Sequence, residues 1–221
     1  MELYSSCIPY DDGAAPNPFW GICTLTICKP AIRRTASIGD WVIGTGAKNI
    51  KGHGNLSNKL IYAMNVTDKM TLQDYDSFCR DKYPKKIPDW THRDYRRRLG
   101  DCIYDYSSDP PIKRKGVHNK GNYEKDLSGK YSLISEHFYY FGDKPIDIPD
   151  SLKPIVLQRQ GHKKRLNRPY IPTFLSWIES LNLEVNKIYG NPQLNIFENP
   201  SCQSLCSEYR ATETDDEEKN Y

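Results

Sequence analysis

Residues 59–84 read KLIYAMNVTDKMTLQDYDSFCRDKYP, and a change of period inside this stretch decides the fold class. Leu60, Tyr62, Met64 and Val66 alternate with Ile61, Ala63, Asn65 and Thr67, which is the period of a β-strand with one apolar and one mixed face. From Thr71 the period lengthens to that of a helix. Thr71 is placed to cap it, Asp74 stands three residues on as a capping-box-like partner, and Met70 and Tyr75 hold the two positions of a hydrophobic staple. Leu72, Tyr75, Phe78 and Cys79 then share one face, and Pro84 disfavours a helical residue at Tyr83. A half-buried strand followed by a helix that packs on the sheet predicts an α+β domain.

The surrounding sequence extends this pattern. LYSSCIP (3–9), ICTLTICK (22–29) and WVIGTG (41–46) are further short β-rich runs separated by Pro, Gly and Asn clusters. Residues 84–130 are polar, basic and punctuated, a length of connection that signals a functional loop region or an insertion. YSLISEHFYYFGD (131–143) reads as a strand ending at Gly142. A second helix is expected from Thr173, with Phe174, Leu175, Ile178 and Leu181 as its apolar stripe and Trp177 beside it. The sum is a curved or barrel-like, mostly antiparallel sheet with two or more packed helices, forming one domain over residues 1–195 and followed by a flexible acidic tail over 196–221.

A chain of 221 residues with 38% hydrophobic and 27% charged residues and a mean hydropathy of −0.74 allows a packed core with long polar loops. No apolar run approaches the ~18 residues that span a bilayer, and the N-terminus lacks a basic region followed by an apolar one. A soluble, cytoplasmic protein without a membrane partner is expected. Seven cysteines without a recurring spacing read as reduced thiols. Cys202 and Cys206 form a lone C-x3-C with no second pair to complete a tetrahedral shell, so no metal site is assigned and no cofactor can be named. Residues 208–221 carry six acidic and two basic side chains, a net of −4; with +3 on the whole chain, residues 1–207 carry +7. A tail of that composition is expected to be disordered, and a basic body favours a polyanionic partner.

The glycine-rich stretch GDWVIGTGAKNIKGHGN (39–55) raises the question of a phosphate-binding loop. The P-loop pattern fails because Gly46 is followed by Ala47 and Lys48 by Asn49. The dinucleotide fingerprint fails because Asn49 stands where its third glycine belongs. A strand rather than a helix follows, so a long hairpin loop is the leading reading. Ligand contacts from Thr45, Lys48 or Asn49 stay compatible with it.

Four basic groups stand out: Lys29, Arg33 and Arg34; Arg93, Arg96, Arg97 and Arg98; Lys113, Arg114 and Lys115; and Arg159, Lys163, Lys164, Arg165 and Arg168. Each alone reads as a solvated face. Interleaved with Trp90, Tyr95, Tyr104, Tyr106 and Tyr170, together they fit a nucleic-acid surface on which cations hold phosphate and rings stack bases. In EHFYYFGD (136–143) the alternation puts His137, Tyr139 and Phe141 on one face and Phe138 and Tyr140 on the other, so one face is core and the other could line a base pocket. Asp11 and Asp12 lie in a turn, and Gln160 and His162 in a basic loop; a carboxylate with a histidine could serve as an acid–base pair. No hydrolase or zinc-deaminase motif is present.

The segments DDGAAPNPFWGICTLTICKPAIRR (11–34), GDWVIGTGAKN (39–49), YAMNVTDKMTLQDYD (62–76), RRRLGDCIYDY (96–106), HFYYFGD (137–143) and QGHKK (160–164) together resemble the nucleotide modification associated domain 2 family of bacteria and their viruses, over roughly residues 1–195. The resemblance implies a setting of DNA-base modification. The order of elements is also similar to PUA-like domains, including the EVE and YTH groups, some of which hold a modified base in an aromatic pocket. Trp20, Trp41, Tyr139 and Tyr140 would form that pocket here. The expected function is binding of a nucleotide or of a modified base in DNA. Lys29, Arg33, Arg34, Arg96, Arg97, Arg98, Lys163, Lys164 and Arg165 would contact phosphate, and Asp12, Asn17 and Asn49 would read the polar edge of the base. A base-modifying or nucleotide-processing enzyme using Asp12 and His162 is the first alternative, and an interaction protein in phage defence the second.

Overall fold

The structure, a computed structural model, describes residues 1–48, 52–159 and 161–198. In chain order its strands are β1 (Leu3–Ile8), β2 (Cys23–Leu25), β3 (Trp41–Gly46), β4 (Lys59–Asn65), β5 (Asp68–Thr71), β6 (Tyr104–Asp105), β7 (Ile112–Lys113), β8 (Tyr131–Ser135), β9 (His137–Tyr140), β10 (Ile146–Asp147), β11 (His162–Lys163) and β12 (Lys187–Ile188). The helices are α1 (Pro30–Thr35), α2 (Leu72–Asp81), α3 (Tyr95–Arg98), α4 (Tyr123–Ser128) and α5 (Ile171–Ser180). The α+β class is as expected.

The main sheet runs β11-β1-β3-β4-β9-β12, with β10 also pairing to β4. It is mixed: β1 lies parallel to β3 and β12 parallel to β9, while the other pairs are antiparallel. Barrel-like closure is not found. Among the described residues no pairing joins β11 to β12, so the sheet stays open at both ends. The parallel β1–β3 pair is the reason the order cannot be a simple meander: the chain must leave the sheet between these strands, and it does so through β2 and α1. β2 joins β8 and β5 in a separate three-stranded sheet.

Both faces of the main sheet are covered. On one, Leu3, Trp41, Ile43 and Ala63 pack under Phe174 and Ile178 of α5 and under the turn that carries Leu152 and Ile155. On the other, Tyr4, Val42, Tyr62, Met64 and Tyr140 meet Ile32 of α1 and Leu25 and Leu133 of the smaller sheet. β4 is therefore a central strand buried on both sides, where the alternation had predicted one mixed face. Each such large apolar side chain contributes about 1.5–3 kcal/mol when removed from water. The 131–143 run divides into β8 and β9, which belong to different sheets. Its break at Glu136 is held by the Ser135 hydroxyl, which donates to the His137 carbonyl, and by the Glu136 N–H, which donates to Thr67 Oγ1.

α2 starts as expected, with Thr71 Oγ1 accepting from the Asp74 N–H at 3.1 Å and Thr71 donating back to Asp74 Oδ2 at 2.6 Å. The glycines of β3 serve close packing. A Cβ at Gly44 would lie 2.2 Å from the Tyr62 ring, and one at Gly46 2.3 Å from the Leu56 carbonyl. Gly52 and Gly54, at φ +82° and +69°, shape the β3–β4 loop. Residues 84–130 form a third packed region around Leu99, Ile103, Tyr104 and Val117. No helix among the described residues is long and apolar enough to cross a membrane.

Candidate functional site

The residues expected to hold phosphate divide into two kinds. Arg33 is fully buried, and its guanidinium donates to the carbonyls of Cys28 (2.7 Å), Tyr131 (2.9 Å) and Asp126 (2.5 Å). Lys163 is buried in β11 and donates to the Pro154 and Val156 carbonyls. Lys29 is buried too, with Nζ 3.5 Å from the Cys7 carbonyl. Arg34 is exposed and donates to Ser128, Lys164 lies over the Tyr4 ring, and Arg165 is exposed. Arg97 donates to the Pro84 and Ile87 carbonyls.

The expected base pocket is spread over three packed clusters. Trp41 and Tyr139 lie under α5, Tyr140 lies on the opposite face of the sheet, and Trp20 belongs to the 84–130 region. Trp41 makes edge contacts with His137 and Phe174 at 5.2 and 5.4 Å. Burial lowers the pKa of His137, whose Nε2 is 3.3 Å from the Tyr139 hydroxyl. Tyr140 donates to both oxygens of Asp11 at 2.7 Å, and burial raises the Asp11 carboxyl to about 7. Asp12 Oδ1 accepts from the Ala14 N–H, while His162 sits opposite Ser6 in the β1–β11 pair with its ring 6.0 Å from that of Tyr4. Thr45 is buried in β3 and Lys48 is exposed. Asn17 accepts from Lys86 and donates to the Leu99 carbonyl. Asn49, Gln160 and the tail with Cys202 and Cys206 lie outside the described residues.

Basic and aromatic side chains do assemble at the surface. α3, capped by Asp94, carries Arg96 to the Trp20 ring (5.5 Å), where Lys85 also sits at 4.9 Å. From the same turn Arg98 lies 4.1 Å over Phe197. Phe197 meets Trp90 edge-on at 5.2 Å, and Lys115 stands 4.8 Å from the Trp90 ring. Lys85, Arg96 and Lys115 are exposed and Arg98 half-buried, so two cation–ring groups lie beside α3: Lys85 and Arg96 at Trp20, with Arg96 also paired to Asp94, and Arg98 and Lys115 at Phe197 and Trp90. Lys85 and Phe197 were missed in the sequence because nothing local links them to Trp20 or Arg98.

A second grouping was missed entirely. Cys28 Sγ lies 3.2 Å from His118 Nε2, and His118 Nδ1 lies 2.5 Å from Asp126 Oδ2. The carboxylate is held on every side: Oδ2 also accepts from the Tyr104 hydroxyl at 2.8 Å, and Oδ1 accepts the Cys28 N–H at 3.0 Å. Burial works against charge on His118, but the Asp126 carboxylate and the facing Cys28 sulfur raise its pKa to about 9. Cys28 and Lys29 follow β2 and precede α1 with φ of +61° and +40°, a left-handed pair without glycine. Such positions cost on the order of 1–2 kcal/mol each. Both residues line a small depression of about 20 Å³ with Cys7, Ile8, Pro9, Tyr10 and Ala15. Thiol and carboxylate sit on opposite nitrogens of one imidazole, forming a line rather than a metal shell, and no metal-binding cluster occurs among the described residues.

An α+β domain with an open mixed sheet and these two polar groupings defines the class only broadly. The family model described as nucleotide modification associated domain 2 matches residues 1–199, and the chain belongs to that family. Searches of curated proteins and of solved structures found no match.

Proposed function

We propose that this protein binds nucleotides, or a modified base within DNA, in the setting of DNA modification in bacteria and their viruses. The observation that carries the reading is the pair of cation–ring groups beside α3, Lys85 and Arg96 at Trp20 and Arg98 and Lys115 at Phe197 and Trp90. Its chemistry fits a sugar–phosphate strand. Guanidinium and ammonium groups neutralise phosphates and release their counterions, while flat side chains stack bases without regard to sequence. Guanidinium planes held over rings also keep their donors oriented at little further entropic cost. The nucleotide-modification family supplies a setting in which such a ligand is met.

Fluorescence anisotropy with labelled single-stranded and duplex oligonucleotides, and competition by free nucleotides, tests the proposal. Binding should weaken steeply as salt rises, and the Arg96→Ala, Arg98→Ala double variant should reduce both the affinity and the salt slope. Absence of binding at low salt for every one of these ligands would end the reading.

A further inference from the structure

We propose that Cys28, His118 and Asp126 form a catalytic thiol centre that transfers acyl groups, with Cys28 as nucleophile. This goes beyond the binding reading and does not depend on it. Four observations converge. A thiol, an imidazole and a carboxylate stand in line at 3.2 and 2.5 Å. The nucleophile sits in a left-handed turn between a strand and a helix, the position in which a strained elbow presents a side chain. Cys28, itself only 6% exposed, lines a small depression, and the histidine and carboxylate behind it have side chains 1% exposed. Finally, the next residue in that depression is a buried lysine.

The roles follow from the donors available. With Nδ1 facing Asp126, the other ring nitrogen, Nε2, faces the Cys28 sulfur and is placed to take the thiol proton as the sulfur attacks. Asp126 is a positioning residue: Tyr104 and the Cys28 N–H fix both of its oxygens, and it fixes the tautomer and plane of His118. Arg33 anchors the backbone at both ends of the line through the Cys28 and Asp126 carbonyls.

The reaction balances without an oxidant or reductant. Cys28 Sγ attacks the carbonyl carbon of R–CO–X, and the carbonyl π pair moves to oxygen, where the Lys29 ammonium in the same depression favours negative charge. As that pair returns, the C–X bond breaks and His118 Nε2 passes its proton to X, which leaves as HX. The product is a Cys28 thioester. Water or an amine then attacks it, its proton goes to Nε2, and the sulfur departs as the thiolate. The substrate class is an amide, ester or thioester.

The test uses 4-nitrophenyl acetate with the full chain and no nucleic acid, so its result is separable from that of the binding assay. Expected are a burst of nitrophenolate and one acetyl group, mapped by peptide mass spectrometry to Cys28. Cys28→Ser should abolish the adduct, and His118→Gln should slow the burst about 100-fold or more. A burst unchanged in His118→Gln, or acetyl placed elsewhere, overturns the proposal. Because that variant could lose structure, the unaltered protein supplies a second measurement. Cys7, Cys23, Cys79 and Cys102 are buried as Cys28 is, and Cys7 lines the same depression, so iodoacetamide under native conditions should label Cys28 at least about 10-fold faster than Cys7 and faster than the other three. Equal labelling of Cys7 and Cys28 overturns the assignment.

Discussion

His118 and Asp126 are joined through Nδ1 and Oδ2 at 2.5 Å with both side chains sealed from water. Burial alone would raise the Asp126 carboxyl, but the charge and hydrogen bond of His118, with Arg33 nearby, hold it below its usual range. For His118 the folded pKa, about 9, stands above the unfolded value of 6.5. The stability it contributes is therefore complete below pH ~6.5 and is lost as pH rises through about 9. Thermal melts should show the wild-type Tm falling across that window and a flatter profile for His118→Gln. Parallel profiles would show that the pair is not charged in the folded protein.

Asp11 gives a second, separate window. Its carboxyl is raised from 3.8 to about 7, chiefly by burial and against the hydrogen bond from Tyr140. The folded state holds this proton more tightly than the unfolded chain, so stability declines as pH rises from ~4 to ~7. Asp11→Asn keeps an acceptor for Tyr140 and removes the titration. The variant should lose that decline, and a persisting slope between those values would assign it to other groups.

Lys86 is completely buried, and its ammonium donates to the Asn17 carbonyl and Oδ1, the Ile22 carbonyl and Thr24 Oγ1, all within 3.0 Å. Thr24 in turn donates to Asp101 at 2.6 Å. Lys86→Met removes the donor and leaves these acceptors and the carboxylate without it, at a cost of about 3–5 kcal/mol. Chemical denaturation should show a clear fall in the midpoint. An unchanged midpoint would mean that the network contributes nothing net.

Gly129 has an ordinary helical backbone, so alanine is conformationally acceptable there. Its Cβ, however, would stand 2.2 Å from the Arg33 guanidinium carbon. Gly129→Ala is expected to cost about 1–3 kcal/mol by overpacking and to slow iodoacetamide labelling of Cys28, since Arg33 holds the Cys28 carbonyl. Labelling at the wild-type rate would separate Arg33 from the thiol.

Trp20 is half-buried between its two cations, and its loss should weaken single-strand binding by about 1–3 kcal/mol with little change in salt slope. Arg96→Ala should do the reverse, reducing the slope. Titrations of Trp20→Ala and Arg96→Ala at several salt concentrations distinguish the two; identical slopes would leave Arg96 without a phosphate contact.

Much of the fold was legible because its signals are local. The Thr71 cap and the faces of α2 and α5 depend on neighbours three and four residues away, so period and capping chemistry were sufficient, whereas α5 begins at Ile171, two residues before the expected Thr173, with no side-chain cap to mark it. The break at Glu136 was not legible: a continuous apolar and aromatic run carries no mark of which sheet each half joins, and a distant partner, Thr67, holds the bend. Arg33 shows the same limit on charge. In sequence it is one of a basic cluster; in the fold its donors are used on three carbonyls, one of them five residues away and two more than 90.

Residue order alone thus determined the α+β class, the family, the absence of a P-loop pattern and the positions of the main helices, because each rests on short-range spacing or on composition. Tertiary structure decided which cations face water and which thiol meets a histidine. Cys28 and His118 are separated by 90 residues, and the crossover that returns β2 to β8 brings their segments together. Side-chain chemistry between such positions depends on strand pairing, which no local pattern encodes.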